Sequence, residues 1–326
     1  MAEIFMSRMW SAKRAFYILR LVEVTALKYE RLLKMANQLP SVSVIVPTFR
    51  DWESLEKTIR AIQKQTYSTR LFEVILVNND AENMHAEMAL PDNFMLVNES
   101  KPGSYAARNR GIDLARGDVL AFTDSDCLPE PDWLENAVRH LTNGAQRLAG
   151  RVRLYYRGSR LNWVEKYEKA YAFPQRRYAD EGVSVTANMI VWRYCFDRVG
   201  KFNDALFSGG DTEWGRRALE ANIPIRYAPD VVVLHPARAR MIDLLTKRRR
   251  LAAAALKINK PRNSLALFMS LFRGVMPPTK HFRRLYRRTD LTLNEKACAL
   301  ALVYLFKIYG TWQRVLLLLG RHPERR

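Results

Sequence analysis

Cysteine is scarce in this chain of 326 residues: Cys127, Cys195 and Cys298 are the three. An odd count with no C-x-x-C pair excludes a disulfide framework and a structural zinc site, and fits a reducing cytoplasm. The N-terminal MAEIFMSRMWSAKRAF lacks the basic region, apolar core and small-residue cleavage site of a signal peptide. Internal repeats and low-complexity linkers are missing as well. An unbroken apolar run of about 20 residues, the minimum for a spanning helix, is also absent. Residues 297–320, ACALALVYLFKIYGTWQRVLLLLG, come nearest, but Lys307, Gln313 and Arg314 interrupt them. Lys307, Thr311 and Arg314 stand at i, i+4 and i+7 as one narrow polar stripe. Such a helix lies in a membrane interface, packs on its own domain, or joins another subunit in an oligomer.

Positive charge is in excess, with a net +20, but it is unevenly placed. Residues 1–40 carry 7 Lys+Arg against 3 Asp+Glu, and residues 238–326 carry 21 against 4, leaving 25 against 26 for residues 41–237. A protein that binds nucleic acid would spread its basic residues over the folded domain. Here a neutral middle lies between basic helical tails, a pattern that suits docking on an anionic membrane surface. The organisation read from the sequence is an N-terminal helical segment over 1–40, a catalytic-type α/β domain over 41–237, and a basic, membrane-associating helical extension over 238–326.

Within the middle domain, short apolar runs alternate with helical periods. VSVIVPTF from Val42, FEVILVN over 72–78, NFMLVNE over 93–99 and residues 118–123 read as strands. Between them, Asp51 is placed to cap a helix carrying Leu55, Ile59 and Ile62, and SYAARNRGIDLARG reads as a helix closed by Gly117. The alternation implies a Rossmann-like, mainly parallel central sheet covered by helices on both faces.

The fourth strand ends in VLAFTDSDC. Acids at i and i+2 of an extended chain face the same way, so Asp124 and Asp126 either share one cation or merely begin a turn. Their place at the carboxyl end of a buried strand is where open α/β sheets bind ligands, and oxygen donors suit Mg²⁺ or Mn²⁺.

VSVIVPTFR, FEVILVNND, GSYAARNRGI, VLAFTDSDC and GGDTEWGRR, in that order, resemble the bacterial-type family 2 glycosyltransferases of the GT-A fold. The resemblance spans residues 41–237 and says nothing of the sugar. It implies a nucleotide-sugar donor, a UDP-sugar first among them, and a divalent metal held by Asp124 and Asp126, with Asp126 the direct ligand and Asp124 nearer the ribose. It also implies that Pro47, Thr48 and Phe49 cradle the nucleoside. Asn78, Asn79 and Asp80 stand where the family has base-recognising acids, so the two asparagines put amides where carboxylates are common. Arg108 faces phosphate or base, with Asn109 a weaker candidate. Asp211 is the implied general base, with Gly210 in place of the usual first acid and Glu213 and Arg217 orienting the helix. His235, ending VVVLHP, is a third metal ligand in some relatives, and imidazole suits Mn²⁺ better than Mg²⁺.

The reaction so implied is inverting transfer, by direct displacement, to a hydroxyl of a lipid-linked or polysaccharide acceptor at the inner face of the cytoplasmic membrane. Three other readings compete. A haloacid-dehalogenase-like phosphatase also ends a strand in D-x-D, but on its first strand. A nucleic-acid-binding protein disagrees with the neutral middle domain. A nucleotidyltransferase would need a Gly-rich N-terminal loop.

Overall fold

The computed structural model describes residues 39–80, 82, 89–258 and 264–319. The helical segment expected over residues 1–40 lies outside them, save for Leu39 and Pro40. Ser41–Arg326 form one compact unit.

The expected strands are β1 (Val42–Thr48), β2 (Phe72–Asn78), β3 (Phe94–Asn98) and β4 (Val119–Phe122), joined by helices α1 (Trp52–Ile62) and α2 (Ser104–Leu114). Every residue of β1 and β4 is buried, as apolar runs covered on both faces require. Later strands are β5 (Leu128–Pro129), β6 (Arg147–Tyr155), β7 (Met189–Trp192) and β8 (Ile225–Pro236). Together they form one sheet ordered β3-β2-β1-β4-β7-β6-β8-β5. β3, β2, β1 and β4 are mutually parallel. Beyond them the sheet is mixed: β7 enters antiparallel between β4 and β6, and β8 runs parallel to β6.

Two apolar cores cover the sheet. On one face Leu55, Ile59 and Ile62 of α1 pack with Trp133, Leu134 and Leu141 of α3 (Trp133–Thr142). On the other, α2 packs with α6 (Arg193–Val199) and α7 (Gly210–Glu220) around Phe122, Phe196, Phe202 and Trp214. Trp214 is fully buried, stacks on Phe196 with centroids 4.4 Å apart and donates its indole N–H to Gly200 O at 2.8 Å, which seats α7 firmly.

Two local expectations change. Asp51 stands at the N-cap of α1 but makes no side-chain capping bond. Gly117 does not cap α2, which ends at Leu114 with Ala115 already extended. A Cβ on Gly117 would meet Ser43 N at 2.5 Å, so the glycine allows the chain to cross β1.

The segment from Arg157 to Asp180, left unassigned in the sequence, contains α4 (Trp163–Tyr171) and α5 (Gln175–Asp180). The C-terminal helices are α8 (Met241–Ile258), α9 (Ser264–Val275), α10 (Thr279–Tyr286) and α11 (Leu293–Leu318); α8, α10 and α11 pack on α4, and α9 packs on α11. Val164 and Tyr167 of α4 pack with Leu244 of α8 and with Leu302, Val303 and Phe306 of α11. Among the described residues no helix is long and apolar enough to cross a membrane.

Of the alternatives open for residues 297–320, packing on its own chain is what the described residues show, with the polar stripe turned inward. Thr311 is buried, Lys307 donates to Met276 O at 2.7 Å, and Arg314 donates to Ser270 Oγ at 3.2 Å, so the polar stripe of α11 faces α9. Tyr304, Leu305, Ile308 and Trp312 are exposed instead. The Lys247-Arg248-Arg249-Arg250 run also turns inward. Lys247 lies 5.6 Å from the Phe173 ring, Arg248 bonds the Tyr167 hydroxyl, and Arg249 donates to the Tyr309 hydroxyl at 2.7 Å. Aromatic rings and tyrosine hydroxyls outbid water for these cations, which therefore form no outward basic face.

Candidate active site

The parallel register sets the ends of β1, β2 and β4 side by side, with Thr48 opposite Asn78 and Phe122 opposite Ile45. Their loops open into a polar cleft of about 230 Å³ lined by Pro47, Thr48, Phe49, Asn79, Arg108, Asp124, Asp126 and His235. Eight of the residues proposed from sequence thus meet in one place. Asp80 and Asp211 are not among the cleft's lining.

The metal-type corner depends on the shortest strand. β5 pairs Leu128 with Leu234 and Pro129 with Val233, which brings the Asp126 turn beside His235. His235 Nε2 lies 3.7 Å from Asp126 Oδ1. Its Nδ1–H donates to Pro236 O at 2.7 Å, so Nε2 is left with a lone pair turned toward the carboxylates. Ligand atoms of Asp124, Asp126, Cys127 and His235 lie within 4.8 Å of one another. Burial pushes the Cys127 thiol well up, so it remains a thiol and the donor set is two carboxylates and an imidazole. That set fits a divalent cation of the Mn²⁺ or Mg²⁺ type.

Asp124 is shared. The nearly buried Arg108 donates to its Oδ1 at 2.5 Å, and Arg108 Nε has no partner among the described residues. The hydroxyl of Thr48, buried at the cleft wall, likewise has none. Such groups are costly unless a ligand completes them. Asn79 is committed differently: its amide donates to Glu99 O and Lys101 O, both at 2.8 Å, and accepts from Gly103 N at 2.7 Å. It shapes the cleft loop. Asp80 is held by Arg50 Nε at 2.7 Å. Asn109 exchanges two hydrogen bonds with the backbone of Phe202, at 2.9 and 3.0 Å.

Asp211 lies in the first turn of α7, where its Oδ1 accepts from Thr212 N at 2.8 Å and from the Tyr105 hydroxyl at 3.2 Å. Burial pushes its carboxyl above the ordinary range, against the Thr212 N–H and the charge of Arg108, which pull it down. Tyr105 and Arg108 are neighbours one turn apart on α2, with the Arg108 guanidinium 5.5 Å from the Tyr105 ring. One turn of helix therefore contacts both Asp211 and Asp124. Gly210 carries no acid because its Cβ would meet the Tyr105 ring at 2.8 Å. Arg217 pairs with Glu213 at 2.7 Å and donates to Val199 O and Lys201 O, which fixes α7 to the preceding loop.

A family model for glycosyl transferase family 2 matches residues 43–198. Glycosyltransferase AglE of Haloferax volcanii is 32% identical over 275 residues, which is 80% of this chain and 90% of that protein. The chain belongs to glycosyl transferase family 2. A second protein of Haloferax volcanii, glucosyl-dolichyl phosphate glucuronosyltransferase, is 30% identical over 113 residues, 33% of this chain and 37% of that protein. The mannosyltransferase PcManGT of Pyrobaculum calidifontis, solved with GDP-Man and Mn²⁺, superposes with a TM-score of 0.53 at 18% identity, covering 86% of this chain and 88% of that one. The fold is GT-A, and the phosphatase reading of the D-x-D pair is excluded.

Family 2 membership was legible from the motifs, but several residues of the cleft were not. Arg238 and Arg250 line it, together with Asp51, Ser104 and Phe207. The ring of Phe173 lies 4.5 Å from that of His235 and carries Lys247 on its other contact. Burial, with the charge of Arg238 beside it, pushes the Lys247 ammonium down to about 8. The signal for Lys247 and Arg250 was the basic charge of the extension, a pattern that by itself suits an anionic surface.

Proposed function

We propose that this family 2 enzyme is an inverting, metal-assisted glycosyltransferase that uses a nucleotide-sugar donor and Asp211 as general base. The observation that carries the reading is the turn of α2 that contacts both a metal-type donor set and a half-buried carboxylate of raised pKa. Asp126, His235 and Asp124 would hold Mn²⁺ or Mg²⁺, and a cation there supplies a Lewis acid for the departing diphosphate. Thr48 and Arg108 offer unfilled donors to the nucleotide, and Arg238 and Arg250 add positive charge for its phosphates. Asp211 takes the proton of the acceptor hydroxyl as that oxygen attacks the anomeric carbon opposite the leaving group.

The test is a thermal-shift panel of UDP-sugars, with GDP-mannose beside them, with and without Mn²⁺. A true donor at 100 times its Kd stabilises the fold by about 2.7 kcal/mol, and the shift should need the metal. If no nucleotide sugar shifts the melting temperature, the reading is wrong.

For the acceptor we propose a lipid-linked one, reached by peripheral docking on the cytoplasmic face of a membrane. Phe268, Phe272 and Trp312 stand exposed on α9 and α11, and Arg283 on α10 and Arg287 just past its end are exposed. An apolar face with basic neighbours binds anionic bilayers, each Lys or Arg near the surface adding roughly 1 kcal/mol. The name of the glucuronosyltransferase relative points the same way, toward an acceptor built on a lipid phosphate. Full-length protein should co-sediment with anionic liposomes at low salt, and F268S/F272S should lose most of that binding. If the double variant binds equally well, or the wild type pairs with itself instead, docking through this face fails.

A further inference from the structure

Between α4 and α10 lie polar groups that the chain leaves unsatisfied. The Tyr171 hydroxyl and His281 Nδ1 are buried and make no hydrogen bond among the described residues. Their rings meet edge to face, centroids 5.3 Å apart. The half-buried Arg284 guanidinium stands 5.6 Å from the Tyr171 ring and has no ion pair with a carboxylate among the described residues. The charges bearing on His281 are all positive, from Arg284, Lys307, Arg248 and Arg177. Some are answered elsewhere: Arg177 pairs with Glu181 at 2.7 Å, Arg248 bonds the Tyr167 hydroxyl, and Lys307 bonds a carbonyl. Arg284 has no such answer. Buried or half-buried donors left without an acid are unfavourable unless an anion completes them.

Position narrows the anion. α10 has two faces. His281, Arg284 and Leu285 turn inward, whereas Phe282 and Tyr286 are 57% and 77% exposed. One short helix thus offers cation donors within and aromatic rings to the exterior, as a phosphate attached to a hydrocarbon chain at a bilayer surface would require.

We infer that Tyr171, His281 and Arg284 form a phosphate-binding site for the head of a lipid-linked acceptor. The inference rests on the lipid-linked reading above and adds the group recognised. The Tyr171 hydroxyl and the His281 ring N–H each donate once, and the Arg284 fork donates twice, to the oxygens of one phosphate.

Calorimetry on the full-length protein in detergent tests it with three probes: a short-chain prenyl monophosphate, the matching prenyl alcohol, and inorganic phosphate. The prenyl phosphate should bind about tenfold or more tighter than either of the others. Arg284→Gln and Tyr171→Phe should each weaken it by about tenfold, Arg284→Lys less, with Mn²⁺-dependent donor binding unchanged in all three. Tyr171→Phe keeps the ring and serves if Arg284→Gln does not fold. Equal binding of phosphate and alcohol, or wild-type affinity in both Arg284→Gln and Tyr171→Phe, overturns the site. Inorganic phosphate binding as tightly as the prenyl phosphate makes it a free-anion site and overturns the lipid assignment. In each case intact donor binding leaves the transferase reading standing, whereas a wild-type protein that binds no donor defeats that reading instead.

Discussion

Asp211→Asn is expected to lose about 10²- to 10⁴-fold in transfer rate while keeping its donor affinity and its fold. The loss follows from removing the carboxylate that Tyr105 and Thr212 hold, one helical turn from the Arg108 that bonds Asp124. The retained fold follows from the sign of the pKa shift. Burial raises the folded-state pKa of Asp211 above its unfolded value. The stabilising contribution of such a group is present below the unfolded pKa, near 3.9, and is lost as pH rises through the folded pKa. At neutral pH the ionised carboxylate therefore costs stability, and the neutral amide removes that cost. The melting temperature of Asp211→Asn at pH 7 should equal or exceed that of the wild type. The same shift predicts that the acid limb of the wild-type rate falls at a pH above the ordinary carboxylate range. Single-turnover transfer at saturating donor, with melting curves at pH 7, measures both effects. A folded variant with near wild-type turnover would remove Asp211 from the mechanism.

The parts of this site that sequence revealed were those carried by local pattern. β1, β2 and β4 are short apolar runs whose loops must emerge together at one edge of a parallel sheet, so periodicity put Asp124 at a strand end, and the family resemblance of the neighbouring motifs added Thr48 and Asn79. Residues whose roles depend on a distant partner were opaque. β5 is two residues long, too short for any alternation, yet its pairing with β8 is what sets Asp126 beside His235. Gly210 read as a missing acid because the Tyr105 ring that excludes a side chain there lies over a hundred positions away. The Lys247 to Arg250 run was legible as charge but not as direction, since direction was decided by Phe173, Tyr167 and Tyr309. Some signals went unused. The capping boxes Asn162 to Glu165 and Thr292 to Glu295 announce α4 and α11, and the second puts the start of α11 at Leu293, four residues before the apolar run begins.

Asp126→Asn should abolish the metal dependence of donor binding, whereas Asp124→Asn should act more broadly. The two acids do different work. Asp124 gives one oxygen to the nearly buried guanidinium of Arg108, so replacing it leaves that cation without its counter-charge and disturbs the cleft wall as well as any metal. Asp126 is held by no arginine or lysine among the described residues. Its nearest charged-type neighbour is the imidazole of His235 at 3.7 Å, whose lone pair is oriented by the bond to Pro236 O. An amide in place of that carboxylate is a poor ligand for a hard cation. Loss of an outer partner of a metal ligand typically costs about 10- to 100-fold in affinity, and loss of the ligand itself should exceed that. Calorimetric titration of the donor, with and without Mn²⁺, should give Asp126→Asn one weak affinity under both conditions and an unchanged melting temperature in the absence of ligand. His235→Gln should reproduce part of the effect and shift the preference from Mn²⁺ toward Mg²⁺, because the nitrogen donor is what favours the former. Wild-type, Mn²⁺-dependent affinity in Asp126→Asn would mean that the cation, if one is used, sits elsewhere in the cleft.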